Sequence, residues 1–414
     1  MSDQSHRLGK TSMAEFVAMM AMSMALTALS VDIMLVVLPD IASDFSLLDA
    51  NAQQFVITIY MAAFATGHLV VGPISDRIGR KPVLIGGFLV YGAGTVVAIL
   101  SQSFEALLVA RVIQGLGASG PRVVAVAVVR DRFVGRGMSQ IMSIVMMVFI
   151  ILPILAPSLG SLLALLGSWQ PIFVFLLIFS MSIMVWIGMR LEETNPRTGE
   201  DVRAAVPVWV ALRAIVTSRQ TMGYTLGLGF VFGCLLTYIA SAQQLFADLY
   251  GVVAWFPAVF ASVAGGMVVA SLANTYFVEK IGMRRLSHGA LLTFVALTLV
   301  VNLVHMLIGE FPMMALIAFL SVSFFLVGII LPNFNALAME PLGAIAGTGS
   351  SFVGFAMTGM GALLGGVVGQ MYDGSAHPLI VGYGLYAIIS LTIIVIAEKG
   401  RLMHATPQQS AAKA

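Results

Sequence analysis

The sequence predicts an all-α membrane protein, with twelve transmembrane helices in two pseudo-symmetric six-helix bundles. Three observations predict it. Apolar stretches of about 20 residues recur from one end of the chain to the other, the length of helix that crosses ~30 Å of hydrocarbon. Of 414 residues, 59% are hydrophobic and only 10% charged, with a mean hydropathy of +0.99. Soluble domains carry about a quarter charged residues. The basic residues, finally, fall into every second break between the apolar stretches.

Polar breaks separate apolar segments at roughly 15–39, 52–74, 82–101, 105–129, 138–164, 169–190, 221–247, 253–277, 286–306, 311–332, 346–371 and 378–397. Met1–Lys10 is polar and basic. The run from Phe16 to Leu38 is too long for a signal-peptide core and lacks a small-residue cleavage site, so it reads as a retained first span. The longest break, Leu191–Gln220, divides the spans six and six. It sets an N-terminal bundle at 1–190, a cytoplasmic linker at 191–220 and a C-terminal bundle at 221–414. Within the linker, Ala204–Val216 reads as a surface-lying helix with Trp209 in the interface.

Orientation follows from the charges. With the N-terminus inside, the inner segments hold Arg7, Lys10, Arg77, Arg80, Lys81, Arg130, Arg132, Arg136, Arg190, Lys280, Arg284, Arg285, Lys399, Arg401 and Lys413, and the linker arginines Arg197, Arg203, Arg213 and Arg219. The outer loops hold no Lys or Arg. Both termini are therefore expected in the cytoplasm. One miscounted span would flip every later loop, so the same pattern supports the count of twelve. Only Arg111 and Arg122 remain, both inside span 4.

The most polar interruption is Gly72-Pro-Ile-Ser-Asp76-Arg77-Ile-Gly79-Arg80-Lys81-Pro82, between spans 2 and 3. Gly72 and Gly79 permit non-helical turns and close approach. Asp76 can cap a neighbouring helix such as span 11, and Arg77, Arg80 and Lys81 can reach carboxylates, with Asp131 at the end of span 4 nearest. Glu279-Lys280-Ile-Gly282-Met-Arg284-Arg285, between spans 8 and 9, is a worn copy. The repeat reads as a gate on the cytoplasmic side or, more plainly, as a topology anchor.

Asp32 is the only acid deep inside any span. An acid there is costly unless paired, hydrated or neutralised, which makes it a candidate proton site; the alternative is a structural cap at a kink near Pro39. Arg111 enters span 4 to a matching depth, ~10 Å below the outer surface at 1.5 Å per residue, so the two can pair where spans 1 and 4 adjoin. An arginine beside an acid favours its ionised form, and separation favours the neutral one. Arg122 lies three turns inward of Arg111 and reads equally as an anchor for anionic substrates or as a snorkelling residue. His68 can titrate or can simply pack. Pro153, Pro157 and Gly160 interrupt span 5. Tyr60, Phe64, Gln114, Met146, Tyr238, Gln243 and Asn335, with Arg122, are the candidate lining of a substrate cavity.

Other chemistries find no support. Gly115-x-Gly117-x-x-Gly120 spells a dinucleotide fingerprint but lies inside a membrane helix with no strand before it. No phosphate-binding loop, metal-spaced His/Cys set or nucleophile–base pair is present in the sequence. The expectation is a transporter and not an enzyme, with no metal, no cofactor beyond protons as coupling ion, and no nucleic-acid partner. Its partners would be a small-molecule substrate and the lipid bilayer, and it is expected to be a monomer.

These motifs resemble the major facilitator superfamily, and within it the twelve-span drug:proton antiporters nearest the bicyclomycin/chloramphenicol-type efflux branch. Gly72-x3-Asp76-Arg77-x-Gly79-Arg80-Lys81 resembles the superfamily's loop 2–3 motif. Leu107-x3-Arg111-x2-Gln114-Gly115-x-Gly117-Ala118 is similar to the span 4 motif of proton-coupled members. Ala156-Pro157-x2-Gly160 resembles the span 5 antiporter motif, with Ala156 and Ser161 in place of its usual glycines. Asp32-x6-Pro39 resembles the branch's span 1 signature, with Val36 for its inner proline; Glu193-Thr194 and Asn335 through Thr348 are also similar. The resemblance implies the major facilitator fold, proton coupling in which Arg111 takes part, and export of small lipophilic drugs by antiport across a bacterial inner membrane. A proton-coupled importer or symporter of a small metabolite is the alternative.

Overall fold

The computed structural model describes residues 11–133, 135–195 and 208–403. The expected charges Arg7, Lys10, Arg197, Glu200, Asp201, Arg203 and Lys413 lie outside them. Among the described residues all regular structure is helical, as backbone in hydrocarbon requires. Twelve helices are long and apolar enough to cross a membrane: Met13–Asp44, Ala50–Ile78, Arg80–Ile99, Phe104–Arg132, Ile144–Ala164, Gln170–Arg190, Arg219–Tyr250, Phe256–Ile281, Met283–Ile308, Met313–Gly343, Ala346–Gln370 and His377–Ala397. They are spans 1 to 12, and each overlaps its expected segment.

The chain divides into two compact units, Met1–Pro207 and Val208–Ala414, each with six spans. In the first unit span 1 packs on spans 4, 5 and 6, span 2 on 4, and span 3 on 4 and 6. In the second unit span 7 packs on 10, 11 and 12, span 8 on 10, and span 9 on 10 and 12. The six pairings are the same in both units once six is added to each span number. This is the pseudo-symmetry that the worn copy of the hinge pointed to.

Span 4 is the centre of the first unit because small residues let its neighbours close on it. A Cβ at Gly115 would fall 2.3 Å from the Tyr60 carbonyl oxygen of span 2, and one at Gly117 2.3 Å from the Tyr91 nitrogen of span 3. The glycines that mimic a dinucleotide motif are thus packing residues.

Two expectations need correction. The hinge is not a loop: the span 2 helix runs through Gly72 and Pro73 to Ile78, and Gly79 alone leaves it at φ +105° and ψ 159°. Gly282 repeats this break at φ 82° and ψ 156°. Span 5 is not interrupted, since Pro153 and Pro157 lie inside one helix, Gly135–Ala164. Span 1 does break, just before Pro39, where a kink was expected. Its α-helix Met13–Asp32 ends at Asp32, a turn and the 3₁₀ segment Leu35–Val37 follow, and a second helix, Leu38–Asp44, holds Pro39 in its first turn. The linker helix forms as Val208–Thr217. Its Ala211 and Ile215 are buried and Trp209 is 66% exposed, the amphipathic arrangement of an interfacial segment.

Candidate functional site

The break in span 1 makes the site. Ile33 N bonds Leu29 O, and Met34 N turns back to Val31 O. Ser30 O is thereby left without the i+4 donor that a continuing helix would supply. Arg111 of span 4 takes it, its Nη2 donating to Ser30 O at 3.0 Å. The same guanidinium donates from Nε to Val56 O at 2.8 Å and from Nη1 to Gln114 Oε1 at 2.9 Å. Its carbon lies 4.3 Å over the Tyr60 ring. A cation at the carbonyl end of a helix is well placed, so a fully buried arginine is satisfied without a carboxylate.

Asp32 is the last residue of that helix and is 3% exposed. The expected ion pair with Arg111 is not formed: among the described residues no salt bridge joins them, and Ser30 O, Val56 O and Gln114 Oε1 occupy the guanidinium instead. Asp32 Oδ1 is buried and has no hydrogen-bond partner, and the same holds for Gln53 Oε1 in this unit. Buried polar atoms of this kind are costly until a proton, water or ligand satisfies them. Span 5 closes the break from the other side, where a Cβ at Gly160 would lie 2.4 Å from Ile33 O.

The hinge is built around Arg80, which is 4% exposed. Its Nε meets Asp131 Oδ2 at 2.8 Å, and its Nη1 meets Asp76 Oδ1 at 2.6 Å and Ser75 Oγ at 2.7 Å. Asp76 therefore pairs within its own unit. The cap on the span 3 helix is Glu193, beyond span 6, which accepts from Arg80 N at 2.8 Å and Lys81 N at 3.1 Å. Thr194 N and Asn195 N donate to it as well. Burial opposes its ionisation, and the four backbone donors outweigh that and hold its pKa below the ordinary value. Arg77 is exposed and forms no ion pair among the described residues, and Lys81 Nζ binds the Gly188 carbonyl at 2.7 Å and no carboxylate.

The second unit carries the counterpart at Gly282. Arg284 reaches Glu340 Oε2 at 3.0 Å and Glu398 Oε1 at 3.2 Å. Glu398 also accepts from Tyr224 Oη at 2.6 Å, and that hydroxyl lies 2.8 Å from His288 Nε2. Glu340 lies near the end of span 10 as Asp131 lies near the end of span 4, and Glu398 follows span 12 as Glu193 follows span 6.

A profile described as Major Facilitator Superfamily matches residues 14–366. The chain belongs to the Major Facilitator Superfamily. It is 30% identical over 361 residues to the uncharacterized MFS-type transporter YdgK of Bacillus subtilis (strain 168), covering 85% of this chain and 87% of that one. It is 26% identical over 386 residues to a bicyclomycin resistance protein homolog of Haemophilus influenzae, covering 91% and 94%. Its fold is similar to the crystal structure of the human organic anion transporter MFSD10, with a TM-score of 0.66, 18% identity and coverage of 92% of this chain and 99% of that one. The protein is a multi-pass membrane transporter and not an enzyme.

In this superfamily member the remaining candidates divide. Tyr60 and Phe64 are buried and stacked, with centroids 6.4 Å apart. Gln114 is engaged, bridging Arg111 and Thr95 through a 2.8 Å bond from its Nε2. Tyr238 is buried between Phe260 and Phe324, and Gln243 is buried as well. Met146 and Arg122 are half-buried. Asn335 is exposed; two residues earlier Asn333 is buried and donates to Asn274 Oδ1 at 2.5 Å. His68 Nδ1 lies 2.9 Å from Phe64 O and its ring meets Phe64 edge-on at 4.5 Å, the arrangement of a packing histidine.

Sequence reasoning missed Glu193 as a cap and the whole Arg284–Glu340–Glu398 cluster. A signal was present. Gly79 and Gly282, Asp131 and Glu340, and Glu193 and Glu398 are separated by 203, 209 and 205 residues. A search for acids at the repeat's offset would have found both glutamates.

Proposed function

We propose that this transporter is a proton-coupled antiporter that exports small lipophilic compounds, antibiotics among them, by alternating access. Asp32 is the proton site. The observation that carries this reading is a buried acid at a broken helix end, one oxygen unpartnered, beside an arginine that binds the broken backbone and not the acid. Protonated, Asp32 adds no charge to the interior. Ionised, it sits at the negative end of a helix with Arg111 as the nearest counter-charge on span 4. A substrate's donors can satisfy the unpartnered oxygen of Gln53. Arg111 is a positioning residue that ties span 4 to the break, and Gly160 lets span 5 follow it.

The motifs, and the relation to a bicyclomycin resistance protein homolog, support the drug-export direction. The charge distribution supports both termini being cytoplasmic, and the similarity to bacterial relatives supports a bacterial inner membrane. Export is tested in efflux-deficient cells producing the protein. Resistance to bicyclomycin, chloramphenicol or another lipophilic antibiotic, lost in Asp32→Asn, is the expected result. Uptake of a radiolabelled metabolite, with no resistance to any compound, would overturn it in favour of import.

A further inference from the structure

Two histidines 72 residues apart in sequence meet at one end of the second unit. His305 stands in the last turn of the span 9 helix, and His377 opens the span 12 helix. Span 9 begins at the Arg284 cluster, so the pair lies at the opposite end. His305 Nε2 and His377 Nδ1 are 3.2 Å apart, and the ring centroids are 5.3 Å apart, so the rings meet through nitrogens and not through faces. His377 is exposed and His305 half-buried.

We propose that His305 and His377 form a two-histidine site for a borderline transition-metal ion, with Zn²⁺ as its reference ion. The distance is the first reason. Two imidazole nitrogens bound to one tetrahedral zinc at ~2.0–2.1 Å stand about 3.3–3.4 Å apart. The observed separation is close to that and at the long limit of an ordinary N–H hydrogen bond. Ligand chemistry is the second: neutral imidazoles select zinc, copper or nickel over calcium and magnesium.

The surroundings leave the pair available. Of the other histidines among the described residues, His68 Nδ1 is held by Phe64 O, and both nitrogens of His288 are held, by Tyr224 Oη and Met403 N. His377 N donates to Ser375 Oγ at 3.1 Å, and that hydroxyl donates to Asp373 Oδ1 at 2.6 Å. The loop therefore presents His377 and a carboxylate together. Glu310 follows span 9 and is exposed.

Among the described residues no group of three or more His, Cys, Asp or Glu side chains forms a closed cage. The site is thus open, two protein ligands with water in the remaining positions. His305 Nδ1 is buried without a hydrogen-bond partner, so the outer support that tight sites give a ligating histidine is missing, a loss of about 10–100-fold in affinity. Reversible binding is expected, not a structural metal. In the proposed topology it would tie spans 9 and 12 together at the outer face.

The test uses the full chain with a non-histidine tag, purified in detergent and stripped with a chelator. Zn²⁺ is titrated against a chromophoric chelator for the wild type, His305→Ala, His377→Ala and the double variant. The expected result is one equivalent in the wild type beyond the double variant, with at least a tenfold loss of affinity in either single. Cu²⁺ electron paramagnetic resonance gives a second readout: two coupled imidazole nitrogens in the wild type and one in each single variant. Identical titrations in the wild type and double variant, or an unchanged two-nitrogen signature in the singles, would overturn the proposal.

Discussion

Arg80 offers the sharpest perturbation of the hinge. It faces Asp131 and Asp76 at once, and the side chains of Arg80 and Asp131 are 5% and 8% exposed. Arg80→Ala strands Asp131 in a dry site, and removing one partner of a buried pair costs about 3–5 kcal/mol. Asp131→Ala is milder, because Arg80 keeps Asp76 and Ser75; the lost charge-assisted hydrogen bond is worth about 1.5–3 kcal/mol. The double variant should cost less than the sum of the singles, by about 0.5–3 kcal/mol. A loss of 3 kcal/mol is over a hundredfold in the folded-to-unfolded ratio by the rule of about 1.4 kcal/mol per decade. Arg80→Lys should not rescue, since one ammonium cannot replace a fork that spans three oxygens. The assay is thermal unfolding of the purified protein in detergent, read by intrinsic fluorescence, in about 0.1 M and 1 M salt. The order wild type, Asp131→Ala, Arg80→Ala should survive high salt, because the pair is shielded from solvent. Equal stability of the two singles, or a difference that vanishes in high salt, would refute the argument.

Two further predictions concern the cap and the break. Glu193 has a folded pKa below its ordinary value, so its contribution is present above the unfolded value and is lost as pH falls through the folded one. Melting temperature followed from neutral pH downward should fall less steeply in Glu193→Gln than in the wild type, and parallel curves would count against the cap. Gly160→Ala places a methyl 2.4 Å from Ile33 O, and overpacking of this kind costs about 1–3 kcal/mol. Lower thermal stability and impaired resistance are expected together, whereas a variant of wild-type stability would show that spans 1 and 5 do not pack as described.

The spans were legible because each rests on many residues at once, about 20 apolar side chains per span. The worn hinge copy made the repeat legible, and the six matching span pairings repeat it in three dimensions. What could not be read was set by single residues and long separations. Pro153 and Pro157 promise a broken helix, yet span 5 stays continuous while span 1 breaks between Asp32 and the helix that holds Pro39 in its first turn. Membrane helices keep prolines when neighbours satisfy the backbone, so the residue type alone does not locate the break. Depth matching put Asp32 and Arg111 at one level, but could not show that the broken helix would offer Ser30 O to the guanidinium first. Glu193 and Arg80 are 113 residues apart and His305 and His377 are 72 apart; no local pattern announces either contact.

Under the proposed mechanism Asp32 exchanges a proton when substrate binds, and the direct measurement is proton release from the detergent-solubilised protein in weak buffer on adding a transported antibiotic. Release is predicted for the wild type and none for Asp32→Asn, whose folding is checked by size exclusion. Undiminished release from the folded Asp32→Asn protein would contradict the account.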